Sequence, residues 1–310
     1  MSNKATRQAF GEALAALGAT HPNIVVLDAD LSKSTKSELF AKKFPERFFE
    51  MGIAEANMLG TAAGLALSGK VPFCCSFAAF ITGRYDQIRI SVAYSNANVK
   101  IVGTHAGVAI GDDGYSQQGL EDIALMRAIP TMAVVQPADD IETAAAVKYL
   151  AEHEGPAFLR LTRQNVPRVH AEDYAFQFGK VDTLREGTDA VLFVSGGTVG
   201  NGLEAARKLA AEGISLRVVN VHTIKPLDVE GVVAAVKASG NLAITAEDHT
   251  VIGGLGGAIA EALAENHPAK LLRIGVQDVF GESGAPDEVV AKHGLDTAGI
   301  VRQVKAFLGR

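Results

Sequence analysis

The chain has 310 residues, of which 48% are hydrophobic, 21% charged and only 6% aromatic. The net charge is −6, and the basic residues form no stripe along the sequence. Both observations argue against binding to nucleic acid or to a membrane surface. The length exceeds one typical domain, and the composition is that of a well-buried α/β protein, so we expect two domains.

Three features bear on the cellular compartment. The N-terminal run MSNKATRQAFGEALAALG lacks a long apolar core before a cleavage site, so we expect no signal peptide. No stretch reaches the roughly 18 apolar residues of a membrane span. The only cysteines, Cys74 and Cys75, are adjacent and have no metal-ligand spacing, so we expect them to be small core residues of a cytoplasmic protein.

In the first half of the chain, strand-like apolar runs alternate with helical patterns. Buried strands separated by helices indicate a parallel sheet that is covered on both faces. The predicted strands are 23–30, 71–77, 99–105, 131–137 and 157–162, and the predicted helices are 5–17, 54–68, 83–95, 119–128 and 139–153.

A second α/β set follows a weakly patterned segment, 166–188, which we interpret as a linker. We therefore predict two domains, 1–180 and 188–310, each a mostly parallel sheet with helices on both faces. The predicted strands of the second domain are 190–197, 216–222, 241–248 and 271–276.

Two glycine clusters in the second half suggest a nucleotide site only weakly. SGGTVGNG (195–202) and IGGLGG (252–257) both lack the clean GxGxxG with an acidic partner about 20 residues on. Tight strand-to-helix turns are the better interpretation.

Glu55 is the only charged residue between Glu50 and Lys70, in a stretch of Gly, Ala, Leu and Met. Acids in the first turn of a helix are common, because they favour the positive end of the helix dipole. An acid in an apolar pocket can instead serve proton chemistry. This segment alone favours the structural role, and the catalytic role depends on the rest of the chain.

The other informative polar and aromatic residues follow predicted strands of the first half. They lie in the segments DADLSKST, SFAAF, THAGVAIGDDGYSQQGLED and TRQN. Taken singly, each has an ordinary explanation: a core aromatic, a turn or a surface ion pair. Because the ends of parallel strands meet at one edge of a sheet, their joint placement predicts a site there.

With these segments assembled, the chain resembles the transketolase family of thiamine-diphosphate enzymes over nearly its whole length. GIAEANMLGTAAGLAL is similar to the family segment whose glutamate meets the aminopyrimidine ring. SFAAF resembles the family's aromatic stacking segment, and THAGVAIGDDG resembles its substrate loop. The match covers the pyrimidine-binding and C-terminal domains.

The resemblance also points to a missing part. We find no GDG motif with the downstream Asn that holds the metal and the diphosphate in the family. The resemblance thus implies the C-terminal subunit of a split transketolase, active only with a diphosphate-binding N-terminal subunit in an α2β2 assembly. That partner would mainly hold the Mg²⁺ or Ca²⁺ ion, and this chain would supply no metal ligand.

The resemblance implies a role for each candidate residue. Glu55 and His105 would be catalytic, and the others would bind the coenzyme or a phosphorylated sugar. The cofactor-binding set would be Asp30, Leu31, Glu55, Phe77 and Phe80. The substrate-binding set would be Arg7, Ser34, His105, Asp113, Gln117 and Arg163.

The sequence departs from the family pattern at Gln117, where relatives commonly carry a histidine. Glutamine forms hydrogen bonds but supplies no proton near neutral pH, so a modified sugar is a possible substrate. Two alternatives stay open, the β subunit of a 2-oxoacid dehydrogenase decarboxylase and a noncatalytic regulatory homologue. Arg7, Ser34 and Arg163 argue against the first, because a short oxoacid has no distal phosphate. The retention of Glu55 argues against the second.

Overall fold

The computed structural model describes residues 3–310. Within 3–167, strands and helices alternate as the apolar runs predict. The strands are β1 (Asn3–Ala5), β2 (Ile24–Asp28), β3 (Phe48–Glu50), β4 (Val71–Phe77), β5 (Lys100–Thr104), β6 (Ala133–Val135), β7 (Ala157–Arg160) and β8 (Asn165–Pro167). The helices are α1 (Thr6–Leu17), α2 (Ser32–Thr35), α3 (Glu38–Lys43), α4 (Glu55–Leu67), α5 (Ala78–Thr82), α6 (Tyr85–Gln87), α7 (Asp122–Ala128) and α8 (Asp140–Glu152).

The second half repeats the alternation. Its strands are β9 (Asp182–Arg185), β10 (Ala190–Val194), β11 (Leu216–Asn220), β12 (Thr223–Lys225), β13 (Leu242–Thr250) and β14 (Lys270–Val276). Its helices are α9 (Val199–Ala211), α10 (Val229–Lys237), α11 (Leu255–Asn266), α12 (Pro286–Lys292) and α13 (Thr297–Leu308).

Two large sheets organise the molecule. The first has the order β12-β6-β7-β5-β4-β2-β3, and all its pairings are parallel except that of β12 with β6. The second has the order β14-β13-β10-β11-β9, with only β9 antiparallel. Strands β1 and β8 form a small antiparallel pair. The predicted α/β fold with two mostly parallel sheets is confirmed.

Alternation of side chains along the strands builds a core on each face of the first sheet. Leu27 and Cys74 belong to the cluster that packs on α4 and α7. Val26 and Cys75 belong to the opposite cluster, which includes residues of α1 and α8. Both cysteines are free and buried, as expected of core residues. Helices α9 and α13 cover one face of the second sheet, and α10 and α11 cover the other.

Two segments differ from the sequence-based prediction. The predicted helix 83–95 consists of α6 and a π-helix over Ile88–Tyr94, and it begins only after Arg84, whose backbone (φ −90°, ψ 40°) is not helical. The predicted linker 166–188 contains most of β8 and all of β9. Both are short strands at sheet edges, where the partly exposed pattern gives little apolar periodicity. The domain limits 1–180 and 188–310 stay a prediction.

The longest helices among residues 3–310 have 13 residues, too short to cross a lipid bilayer.

Candidate active site

The candidate residues gather where strands of the first sheet end. Strands β2, β4, β5 and β7 are neighbours and run parallel, so their C-terminal ends lie at one edge. Ligands of open parallel sheets bind at this edge. The sheet thus brings together the loops that follow these strands.

Glu55 is the first residue of α4 and is only 5% exposed. Within residues 3–310 its carboxylate accepts no backbone N–H, whereas Asp139, Asp228 and Asp296 each accept one at the start of their own helices. Its nearest donor is the Ser76 hydroxyl, at 3.5 Å from Oε1. The carboxylate therefore does not cap its helix by hydrogen bonding, which weakens the structural interpretation.

Arg84 is a charged neighbour of Glu55 that the sequence did not reveal. Its guanidinium nitrogen lies 3.9 Å from Glu55 Oε2, and the arginine side chain is 51% exposed. Arg84 stands at the non-helical position between α5 and α6, directly after Gly83. Glu55 is thus buried but not wholly isolated from positive charge.

Phe77 and Phe80 form an aromatic wall across the β4–α5 junction. Their rings stack with centroids 5.4 Å apart and planes at 16°. The His105 imidazole stacks on Phe77 at 3.7 Å and 23°. Phe77 is buried and Phe80 is half-buried, so Phe80 offers the more accessible face to a flat ligand.

His105 is held as a neutral imidazole. Burial, reinforced by the positive charge of Arg7, lowers the pKa of His105 to about 3. The Arg7 guanidinium, which can only donate, lies 3.0 Å from Nε2, so the ring proton belongs on Nδ1. Nδ1–H then donates to Thr104 Oγ1 at 2.8 Å. His105 therefore presents Nε2 as an acceptor.

Positive charge collects around His105. Arg7 and Arg163 lie close enough that burial and the charge of Arg163 together lower the pKa of Arg7. The charges of Arg163 and Lys36 also act on His105. Arg7 donates to the Ser34 carbonyl at 2.7 Å, and Arg163 donates to the Ile110 carbonyl at 2.7 Å. Among the described residues, neither arginine nor Lys36 has a carboxylate in ion-pair range, so the cluster suits an anionic ligand.

The loop after β5 carries Asp113 and Gln117. Asp113 is exposed and Gln117 is half-buried. In the part of the chain that the structure covers, neither side chain makes a hydrogen bond or ion pair. Both are therefore available to a ligand.

The loop after β2 is organised by a buried acid, Asp28. Its carboxylate accepts the Leu31 N–H at 2.7 Å and the hydroxyls of Thr35 and Ser37 at 2.7 and 2.8 Å. Burial raises the pKa of Asp28 to about 6. Asp30 lies beyond it at a left-handed φ of 62° and is exposed.

Models of two domain families match the chain. The pyrimidine-binding domain of transketolase matches residues 2–169, and the C-terminal domain of transketolase matches residues 179–300. The chain belongs to the transketolase family. It carries the pyrimidine-binding and C-terminal domains, as the sequence resemblance predicted.

Individual relatives agree with this family. A Methanocaldococcus jannaschii protein, provisionally named a transketolase C-terminal section, is 47% identical over 97% of this chain and 95% of its own. A 6-deoxy-6-sulfo-D-fructose transketolase subunit of Clostridium sp. (strain MSTE9) is 44% identical over 90% of this chain and 87% of its own. A solved split-gene transketolase, described as an inactive β4 tetramer, superposes with a TM-score of 0.91 at 49% identity, covering 98% of each chain.

The structure groups the transketolase candidates in two sets. Glu55 lies on the α4 side of the edge, and on the other side Arg7 contacts both the Ser34 carbonyl and the His105 ring. Sequence reasoning missed Arg84, which lies 3.9 Å from Glu55, and Lys36, whose positive charge helps to lower the pKa of His105. The only available signal for Lys36 was its place immediately after the DADLSKST segment (28–35). No cluster of three or more metal-ligating His, Cys, Asp or Glu side chains occurs within residues 3–310.

Proposed function

We propose that the chain is the C-terminal subunit of a thiamine-diphosphate-dependent transketolase that moves a two-carbon ketol unit between phosphorylated sugars. The observation that carries the proposal is the buried Glu55 carboxylate, which caps no helix. Ser76, whose hydroxyl approaches Glu55, directly precedes Phe77 at the end of β4, and the stacked Phe77 and Phe80 rings provide a flat aromatic wall. A carboxylate beside such a wall suits a flat, nitrogen-containing heterocycle.

The residues present fit the pyrimidine end of thiamine diphosphate. When bound, this coenzyme supplies a nucleophilic carbon at C2 of its thiazolium ring. Glu55 would hold a proton at the pyrimidine N1′ atom, and the apolar surroundings would exclude competing water. Phe80 would pack against the ring face. Asp30 and Leu31 would lie beside the coenzyme on the loop that Asp28 organises.

The sugar would occupy the cationic side of the site. Arg7 and Arg163 would bind its anionic end by charge-assisted hydrogen bonds. Once a ligand anion engages Arg7, His105 Nε2 becomes available to accept a hydrogen bond from a sugar hydroxyl. Asp113 and Gln117 would contact further hydroxyls, and Ser34 would contact the anionic end.

The complete enzyme would require a second polypeptide. We infer that an N-terminal, diphosphate-binding subunit holds Mg²⁺ or Ca²⁺ and pairs with this chain in an α2β2 assembly. The inactive β4 tetramer described for the split-gene relative supports this dependence. A cytoplasmic location belongs to the same proposal and is supported by the two free, buried cysteines.

A second candidate substrate is a sulfonated sugar. The Clostridium relative is named for 6-deoxy-6-sulfo-D-fructose. A sulfonate, like a phosphate, is an anion with several acceptor oxygens, so Arg7 and Arg163 suit both. Gln117 stands where relatives commonly carry a histidine, and this difference favours a substrate other than the common pentose phosphates.

The test is co-expression with an N-terminal, diphosphate-binding transketolase subunit, followed by assays of ketol transfer. Fructose 6-phosphate and 6-deoxy-6-sulfo-D-fructose would be compared as donors. Glu55→Gln should lower kcat by about 10²- to 10⁴-fold, the usual range for loss of an acid–base group. Glu38→Gln is the matched control, because Glu38 also begins a helix but pairs with Lys42 on the surface.

Three results would count against the proposal. Near-normal turnover of Glu55→Gln would remove Glu55 from the chemistry. Release of CO2 from a 2-oxoacid would favour the dehydrogenase alternative, and full activity of this chain alone would remove the need for a partner.

A further inference from the structure

The loop between β5 and α7, residues 106–118, is held by the second domain. Asp248, near the end of β13, is 8% exposed. Its Oδ1 accepts the Val108 N–H at 2.7 Å, and its Oδ2 accepts the Ala109 N–H at 3.2 Å. One carboxylate from the C-terminal domain thus holds two successive amides of the loop that carries Asp113 and Gln117.

The approach of Asp248 to this loop is close enough to require glycine. Gly107 has a φ of +86°, and a Cβ atom at this position would lie 2.1 Å from Asp248 Oδ2. The far end of the loop is also attached to the second domain, because the Gln118 side chain donates to the Glu282 carbonyl at 3.0 Å. The loop is therefore anchored at both ends by the C-terminal domain.

The first domain fixes Asp248 in return. The Arg160 guanidinium donates to the Asp248 carbonyl and to the Gly119 carbonyl, each at 2.9 Å. Arg160 also pairs with Asp122 at 2.7 Å, and both side chains are almost fully buried. Arg160 thus links β7, the residue that follows the loop and β13 by hydrogen bonds.

His105 stands immediately before the anchored segment. It has a left-handed φ of 57°, a conformation that is uncommon for non-glycine residues, although histidine adopts it more often than most. The backbone at 107–109 continues directly from it, so the bonds to Asp248 help to impose that conformation. The position of Nε2 then depends on a residue of the other domain.

We propose that Asp248 is a positioning residue of the sugar site. From the C-terminal domain it holds the backbone of residues 107–109, and so it fixes His105 and the loop that carries Asp113 and Gln117. This inference rests on the proposed function, because it assigns the second domain a part in binding the sugar. Asp248 acts through the loop and does not contact the ligand itself.

The first test is hydrogen–deuterium exchange on the isolated chain. Asp248→Ala removes both acceptors and Asp248→Asn retains one, so amide exchange in residues 106–118 should rise in the order wild type, Asn, Ala. Because Asp248→Ala removes hydrogen bonds to a charged group, we expect the amide exchange rates in this segment to rise about tenfold or more. Asp296→Asn is the matched control, since Asp296 also accepts an N–H but at the start of α13.

The second test uses the assembled two-subunit complex. Asp248→Asn should raise KM for the anionic sugar by about tenfold and change the affinity for thiamine diphosphate less than KM, because Glu55 and Phe80 lie on other elements and, of these coenzyme-site residues, only Phe77 touches His105. A purely structural role would instead lower kcat and the unfolding midpoint together, with KM unaltered, and would overturn the proposal.

The two tests separate the two claims. Unchanged exchange in residues 106–118 of both Asp248 variants would overturn the anchoring, whatever the activity. A wild-type complex without ketol transfer would overturn the proposed function, and the exchange data alone would then decide whether Asp248 holds the loop.

Discussion

Replacing Arg160 by methionine should destabilise the protein strongly, because this arginine is a fully buried cation with three partners. Its Nε donates to Asp122 Oδ2 at 2.7 Å, and its Nη2 donates to two carbonyls at 2.9 Å. Methionine keeps much of the volume but removes every donor. Asp122, which is also fully buried, would then be left without its cation.

The size of the effect follows from these contacts. Removing one partner of a buried ion pair costs about 3–5 kcal/mol, because the remaining charge stays buried. Loss of the hydrogen bonds to the two carbonyls destabilises the folded state by about 1 kcal/mol each. Because all these contacts belong to one side chain, their contributions are not additive, and we expect a total loss of about 5 kcal/mol in the free energy of unfolding. At about 2 °C per kcal/mol for a chain of this size, the unfolding midpoint should fall by about 10 °C.

Thermal unfolding of the isolated chain, followed by circular dichroism at pH 7, measures this change. Arg89→Met is the matched control, because Arg89 pairs with Asp86 at 2.9 Å but the side chains are 52% and 75% exposed. Such a pair contributes about 1 kcal/mol at most. Adding Asp122→Asn to Arg160→Met should recover part of the loss. A fall no larger than that of Arg89→Met would refute the reasoning.

Three further predictions follow from the site and the domain contact. Phe80→Ala should weaken thiamine diphosphate binding to the complex by about 2- to 13-fold, the value of one aromatic contact, in a calorimetric titration; unchanged affinity would remove Phe80 from the coenzyme site. Arg163→Met should raise KM for the anionic sugar by about 10-fold or more while kcat stays within a factor of about 3, in steady-state assays; equal losses for a neutral sugar would contradict an anion-binding role. Burial alone would lower the pKa of His170, but hydrogen bonds to the carboxylates of Asp139 and Asp182 outweigh burial and raise this pKa to about 10. Stability from this imidazolium is therefore complete below about pH 6.5 and declines as pH rises through about 10. Between about pH 6.5 and about pH 10, the free energy of unfolding of the wild type, measured by urea titration, should therefore fall relative to that of His170→Gln. Wild-type and His170→Gln stabilities that change with pH in parallel would contradict this prediction. His267→Gln is the control, because His267 contacts an asparagine side chain.

The main features of the fold could be predicted because they rest on local patterns. Apolar runs such as 23–30 and 71–77 become central parallel strands, since a strand buried on both faces must be apolar throughout. Helix α4 begins at Glu55 and ends close to its predicted limit. Strands β8 and β9 were missed because edge strands bury little and carry polar residues.

The site could be predicted only in part, because some of its contacts join distant segments. His105 and Arg7 belong to predicted sets, yet their mutual hydrogen bond spans 98 residues and no local pattern encodes it. Arg84 reaches Glu55 only through an irregular turn. Asp248 lies in the second domain, 140 residues from Val108, whose amide it binds.

Strand β12 makes the two domains inseparable as expression units. It belongs by sequence to the second half, yet it forms the outermost strand of the first sheet beside β6. A fragment that stops at residue 180 would leave the β6 backbone groups unpaired along an open sheet edge, which invites pairing with other chains. Such a truncation should aggregate. A fragment extended to include β12 would carry three of the five strands of the second sheet, β9, β10 and β11, without β13 and β14. If the C-terminal domain is exchanged between two relatives, the incoming β12 must therefore fit the β6 edge of the recipient's first sheet.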